Sequence, residues 1–241
     1  MGQGILYLLP SDFGEESLIL LPAYAIDIIH SLDVFIVEDE KSARHFLKRI
    51  GYKKSLNDLT LFLLNEHTSS SDITNYLEPL KRGMNVGVLS DAGCPGVADP
   101  GAEIVRLAHQ HSIQVKPLVG ASSILLALMA SGFNGQHFVF HGYLPKERTA
   151  RIKAIQRMES DAGIKNQTQI FIETPYRNTN LFKEIIEICG KNTMLCVACD
   201  ITLPNEFIQT KPIEEWVRDA KSKSGQVPDL HKRPAVFLIY R

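Results

Sequence analysis

Acidic residues gather where apolar runs end. Glu38-Asp39-Glu40 follows Asp33 to Val37, Asn65-Glu66-His67 follows the run that starts at Thr60, and Asp91 follows Val86 to Leu89. Glu173-Thr174-Pro175-Tyr176-Arg177 closes the run from Gln169 to Ile172. In an open α/β sheet the ligand crevice lies beyond the carboxyl ends of the strands, so acids at those ends are better placed for chemistry than acids on helices. Singly, each reads as a helix cap or a solvated turn. Together they favour a cationic ligand, because surrounding carboxylates lower the cost of a positive centre. They also include the residue types that take a proton from a hydroxyl.

Two loops rich in glycine and small residues accompany them. Asp91, Gly93, Pro95, Gly96, Asp99, Pro100 and Gly101 form the first, and Gly120-Ala121-Ser122-Ser123 the second. Both follow strand candidates, where backbone can approach a ligand closely. Neither the GxxxxGK[ST] phosphate loop nor the GxSxG elbow is present, which removes P-loop and α/β-hydrolase chemistry. Cys196-Val197-Ala198-Cys199 has redox spacing but falls within a strand, where residues three apart face opposite sides. The pairs His109/His111 and His137/His141 lack the helical spacing of a metal site, and no metal is expected.

The elements that must position these residues alternate. Strands are expected at Gly4 to Leu9, Asp33 to Val37, Thr60 to Asn65, Val86 to Leu89 and Ile113 to Leu118, with near-continuous apolar character, the pattern of a parallel sheet covered on both faces. Helices are expected between them: Glu15 to Leu32, kinked or broken at Pro22; a basic helix from Lys41 through Arg49; and one capped by Ser69 to Asp72 and running to Arg82, with Gly83 as its stop. Ser122 to Ala130 almost lacks a polar face and is expected to be buried. Strands at His137 to Pro145, Gln169 to Ile172, Met194 to Ala198 and Val236 to Tyr240 follow. Helices at Lys146 to Glu159 (basic), Leu181 to Ile188 and Ile213 to Lys221 lie among them, and Lys221 to Lys232 reads as a loop.

The chain has 241 residues, 44% hydrophobic and 22% charged, with a formal net charge of -1. A nucleic-acid partner would have to be held by a local basic patch. No apolar run reaches the ~18 residues of a membrane span. The start lacks a signal peptide's basic region, and the four cysteines are irregularly spaced, so a cytoplasmic protein without disulfides is expected.

Val88-Leu89-Ser90-Asp91-Ala92-Gly93-Cys94-Pro95 through Asp99-Pro100-Gly101 resembles the SDAG-T-P…DPG signature of the tetrapyrrole methylase superfamily, the class III S-adenosylmethionine-dependent methyltransferases. Pro117 to Ser123 resembles its proline-glycine-small-residue loop, Phe138 to Pro145 its F-x-F-x-G-F-L-P, and Phe171 to Arg177 its F-Y-E-S-P-H-R. Glu38-Asp39 and Asn65-Glu66-His67 stand where one branch, the methyltransferases of a ribose 2′-hydroxyl in small-subunit ribosomal RNA, has E-D-T-R and H-E-H-N. Departures are Glu40-Lys41 for T-R, and Cys199-Asp200-Ile201-Thr202-Leu203 for R-E-L-T-K.

The resemblance implies an α/β fold of two domains, an N-terminal one over residues 1–116 with a parallel sheet and a C-terminal one over 117–241 with a mixed sheet. It implies S-adenosylmethionine in the cleft between them, a homodimer, and small ribosomal subunit RNA as partner. Pro10, Asp91, Ala92, Gly93, Val97, Ala98, Ser122, Ser123, Ile172 and Ala235 would line the cofactor. Glu38, Glu66, His67 or Glu173 would take the acceptor's proton, while Lys41 and Arg177 position an anionic acceptor. Two other functions stay open: methylation of a tetrapyrrole or other small molecule, and a catalytically impaired protein that binds the cofactor or RNA.

Overall fold

Apolar residues on both sides of a strand demand cover on both faces, and the N-terminal half supplies it. In a computed structural model describing residues 2–65, 68–222 and 225–241, the chain divides into two compact units, one through Ser122 and one from Ser123. The first holds β1 (Ile5–Leu9), β2 (Val34–Val37), β3 (Thr60–Leu63), β4 (Val86–Leu89) and β5 (Gln114–Pro117). They pair in parallel in the order β3-β2-β4-β1-β5. Tyr7, Leu9, Phe35 and Val37 point to one face, against α1 (Ala23–Ser31) and α2 (Glu40–Arg49). Leu6, Val34, Ile36 and Val88 point to the other, against α3 (Ser70–Asn75), α4 (Glu78–Lys81) and α5 (Ala102–Gln110).

The chain leaves β1 through α1 on the first face and leaves β4 through α5 on the second. Adjacent parallel strands with crossovers on opposite faces create a switch point, with a crevice outside their carboxyl ends. Pro22 stands at the N-cap of α1, after a 3-10 turn over Glu15–Leu20. The helix expected from Ser69 to Arg82 is instead two short ones. Ser69 caps the first by accepting the amide of Asp72, and Pro79, lacking an N–H, opens the second.

The second unit holds β6 (Phe138–Tyr143), β7 (Thr168–Ile172), β8 (Met194–Cys199), β9 (Phe207–Pro212) and β10 (Ala235–Tyr240) in the order β6-β7-β10-β8-β9. Only the β6–β7 pairing is parallel, so the sheet is mixed. α7 (Arg148–Lys165), α8 (Asn178–Ile188) and α9 (Ile213–Lys221) cover one face, and α6 (Ser123–Ser131) packs on the other. α6 is not buried all round as its composition implies: Ile124, Ala127, Leu128 and Ser131 turn inward, while Leu125 and Met129 are exposed. No strand is expected from the sequence at β9, an edge strand half-buried along its length. Cys196 and Cys199 do face opposite sides of the sheet, one in each apolar layer. Both are free, and burial pushes each thiol up to about 11.

Trp216 on α9 is fully buried, meets Phe182 edge-on at 5.4 Å and donates its indole N–H to the carbonyl of Leu195 at 3.0 Å. Trp216→Ala is expected to destabilise the C-terminal unit by about 3–5 kcal/mol, read as a lowered denaturation midpoint. A loss under about 1 kcal/mol would show that this indole does not anchor the layer.

Candidate active site

Three loops at the carboxyl ends of β1, β4 and β5 are tied to one another. The amide of Ser11 donates to the carbonyl of Gly93 at 2.9 Å. The Cys94 thiol reaches the carbonyl of Ala121 at 3.4 Å. Gly120 lies so close to Pro10 that any Cβ there would collide with the proline ring. Gly93 has φ +79°, and a Cβ on it would stand 3.0 Å from the Phe13 ring. Glycine at both positions therefore lets the loop backbone pack directly against a neighbouring ring. Ala98, a non-glycine residue, also has positive φ, at 60°. Pro10, Asp91, Ala92, Gly93 and the Gly120 to Ser122 turn are thus brought together. Val97 and Ala98 sit further along the same β4 loop, with Val97 exposed.

Acids crowd this mouth. The register of β2 on β4 pairs Val37 with Leu89, so Glu38 and Asp91 emerge side by side. The Asp91 amide donates to the Glu38 carboxyl, which also hydrogen-bonds the carboxyl of Asp99. Burial, the Asp99 hydrogen bond and the charges of Asp99 and Asp91 push Glu38 up to about 8, against an ordinary 4.5. Burial, then the charges of Asp39 and Asp99, raise Asp91 as well. Glu38 therefore carries a proton at neutral pH and shares it with Asp99. Both Asp99 oxygens are buried without a conventional donor, as is the hydroxyl of Ser11. Asp39 turns away from this cluster and caps α2, accepting the Ser42 amide at 2.7 Å, which holds its carboxyl below the usual range.

A cavity of about 260 Å³ opens between the β1 and β4 loops and α2, lined by Asp12, Phe13, Ser42, Phe46, Arg49 and Asp91 among others. Arg49 holds the buried Asp12 at 2.8 and 2.9 Å, and Asp12 also accepts the Gly14 amide. Removing one partner of such a pair strands a buried charge. Neither this pair nor Asp99 is among the expected site residues. The signal for Asp99 was its place in the β4 loop; for Asp12, its place just past the first strand.

The remaining expected residues are placed as follows. Lys41 is exposed on the first turn of α2. Ser123 opens α6. In the C-terminal unit, Ile172 pairs with Val236 beside Ala235. Glu173 is buried, accepts the Thr174 amide at 2.6 Å and is ion-paired with Arg177, whose Nε reaches the Thr174 hydroxyl at 3.2 Å. Glu66 and His67 lie outside the described residues. Among the described residues no group of three or more metal-ligating side chains is assembled, and no helix is long and apolar enough to cross a membrane.

Two α/β units, the first with glycine loops and a carboxylate cluster at a switch point, define a two-domain α/β protein with a crevice of the ligand-binding kind at the ends of its parallel strands. Residues 16–216 match the family described as Tetrapyrrole (Corrin/Porphyrin) Methylases, and the chain belongs to that family; it is a methyltransferase. Ribosomal RNA small subunit methyltransferase I of Bacillus subtilis (strain 168) is 32% identical over 220 residues, 91% of this chain and 68% of that one. The protein of the same name from Escherichia coli O157:H7 is 28% identical over 224 residues, 92% and 74% of the two chains. Among solved structures, the methyltransferase CobJ shares the fold with a TM-score of 0.62 at 16% identity, covering all of this chain and 95% of its own. The cobalt precorrin-4 methyltransferase CbiF does so with 0.58 at 14%, over 98% and 94%.

A raised folded-state pKa means that stability is full below the ordinary value and is lost as pH rises through the folded one. The protein should therefore lose stability as pH climbs from 4.5 to about 8 through Glu38. Glu38→Gln keeps a donor to Asp99 and does not ionise. Its Tm relative to the parent should rise across that window; a constant difference would remove Glu38 as the group responsible.

Proposed function

We propose that this protein transfers a methyl group from S-adenosylmethionine to a ribose 2′-hydroxyl of small-subunit ribosomal RNA. The observation that carries the reading is the sequence similarity to ribosomal RNA small subunit methyltransferase I, at 28% and 32% identity over more than nine-tenths of the chain. Its similarity to the corrin enzymes, at 14% and 16%, is one of fold, and a fold does not choose a substrate.

The mouth of β2 and β4 fits such a methyl donor. Glu38, Asp91 and Asp99 repel one another, and Asp99 has buried oxygens without a conventional donor. A positive ligand beside them relieves that repulsion. Pro10, Asp91 to Gly93, Val97, Ala98, Ser122 and Ser123 are the residues proposed to hold it, with small side chains admitting it and backbone amides serving its carboxylate. When bound, S-adenosylmethionine supplies a sulfonium methyl whose transfer leaves a neutral thioether. Glu38 is the proposed proton acceptor for the hydroxyl. It reaches the ionised form more readily once positive charge offsets Asp91 and Asp99. The Asp91 amide, which donates to the Glu38 carboxyl, holds it in place in its ionised form. Lys41 and Arg177, the latter presented by Glu173, are the proposed cations for an anionic acceptor. Positioning of the hydroxyl about 3 Å from the methyl then supplies much of the rate.

The test is labelled methyl transfer to small ribosomal subunits that lack the modification, with the modified nucleotide mapped. Transfer to a ribose is expected. Transfer to a porphyrinogen and not to the subunit would overturn the substrate. Glu38→Gln should lower kcat about 10²- to 10⁴-fold with S-adenosylmethionine affinity changed little, as measured by calorimetry. Full activity in this variant would remove Glu38 from the chemistry.

A further inference from the structure

A second cavity, of about 550 Å³, lies wholly within the C-terminal unit between β6 and α7. Its walls include His141 and Tyr143 from β6, and Lys153, Arg157, Met158 and Asp161 from α7. The volume falls within the range of about 300–1,000 Å³ that suits a small ligand or a single nucleotide.

The charge around it is local. Residues 146–157 carry five basic side chains against one acidic, in a chain whose net charge is -1. Two of the five are consumed by the fold. Arg151 grips Glu184 with two nitrogens at 2.7 and 2.9 Å and donates to the carbonyls of Pro145 and Lys146. Arg148 reaches the same Glu184 at 3.3 Å. Lys153 and Arg157, four residues apart and so on one helix face, turn to the cavity instead. Lys153 makes no ion pair among the described residues. Arg157 is 84% exposed and reaches Asp161 only at 4.0 Å, while Lys165 holds that aspartate at 3.1 Å. Opposite them, Tyr143 is 56% exposed.

His141 is oriented from behind. Its Nε2 lies 2.7 Å from Oε1 of Gln169. Gln169 is fully buried, and its amide nitrogen donates to the carbonyl and side-chain oxygens of Gln167 at 3.1 and 3.0 Å. The Gln169 Oε1 must then accept, so His141 Nε2 donates and Nδ1 is left as an acceptor. The line continues from buried Gln167 to the exposed His137, whose Nε2 lies 2.8 Å from the Gln167 amide nitrogen and whose Nδ1 donates to the Lys165 carbonyl at 3.1 Å. The buried Gln167–Gln169 pair behind His141 orients its exposed imidazole.

We propose that this cavity docks one nucleotide of a single-stranded RNA segment. Lys153 and Arg157 take the phosphate, the Tyr143 ring stacks on the base, and His141 Nδ1 accepts from the ribose hydroxyl. Two cations, an aromatic face and a hydroxyl acceptor converging on one hollow match what sets RNA apart from other anions. The inference rests on the reading of ribosomal RNA as substrate and names a docking site for it.

The full chain is tested by binding to oligouridylate and to its deoxy counterpart over a range of salt, and by methyl transfer to unmodified small subunits. Lys153→Glu with Arg157→Glu is expected to raise KM for the subunit about tenfold or more, and to flatten the dependence of log K on log[salt] by about 0.7 for the one phosphate contacted. kcat and S-adenosylmethionine affinity should change little. His141→Ala should erase the preference for the ribose oligomer. Unchanged KM and salt slope in the double variant, with the parent protein active, would overturn the docking site and leave the substrate reading intact. A parent protein that binds oligouridylate through these residues yet methylates no ribosomal RNA would do the reverse. A double variant whose oligomeric state shifts in sedimentation would assign the hollow to a second copy of the chain and overturn the inference.

Discussion

β1 and β4 lie side by side, parallel, and send their crossovers to opposite faces of the sheet. Everything at the candidate site depends on that constraint. It clears the space above two strand ends of helices, and leaves it to loops. Those loops are then fixed to one another: the Ser11 amide to the Gly93 carbonyl, the Cys94 thiol to the Ala121 carbonyl, and Gly120 against the Pro10 ring. Side chains that would have padded the gaps are absent because glycine stands at the closest approaches. The result is a mouth whose loops are held close by one main-chain bond, one thiol and two glycines set against the Pro10 and Phe13 rings.

The charge chosen is unfavourable by itself. Neighbouring strands in register deliver Glu38 and Asp91 together, and the returning β4 loop brings Asp99 onto Glu38. A fold optimised for stability alone would separate these carboxylates or pair each with a cation. It does so elsewhere: Asp12 has Arg49, Asp200 has Arg233 at 2.6 Å, and Glu173 has Arg177. The contrast within one molecule marks the Glu38 cluster as the place where a positive ligand is expected.

What was legible in the sequence follows the strength of local signals. Strands β1, β2 and β4 are apolar runs too short for a helix and ended by turn residues, which makes them legible as buried strands. The alternation of strand and helix identified the parallel sheet, and the glycine loops fall at the carboxyl ends of its strands. β9, by contrast, reads Phe207-Ile208-Gln209-Thr210-Lys211-Pro212, with neither clean alternation nor an apolar run, because an edge strand needs only one neighbour to hold it. The division of the helix after Ser69 turns on Pro79 alone. The Glu38–Asp99 and Asp12–Arg49 pairs were not legible, since each joins residues far apart in the chain through the order of strands, which local pattern does not encode. α6 misled for a related reason: composition reports how apolar a helix is, not which of its faces finds cover.

The two basic helices show the same limit from the other side. By sequence, α2 and α7 present comparable rows of Lys and Arg. In the fold they differ. Arg49 is spent on Asp12, and Arg44 on the Leu56 carbonyl and Glu40. On α7 the basic residues near the N-terminus are spent on Glu184, while the next turns carry cations over an open hollow. A chain near electrical neutrality attracts no polyanion at long range; only cations that the fold has not neutralised contribute to binding. Counting charges along the sequence therefore overestimates what α2 offers and says nothing of where α7 points. Among the cations that the fold leaves largely unneutralised, Lys41 stands exposed on α2, whereas Lys153 and Arg157 stand beside an aromatic ring and an oriented imidazole. The best-matched motifs form the loops at the carboxyl ends of β4 and β5, whereas Lys153 and Arg157 lie on a helix whose sequence, taken alone, reads as an ordinary solvated one.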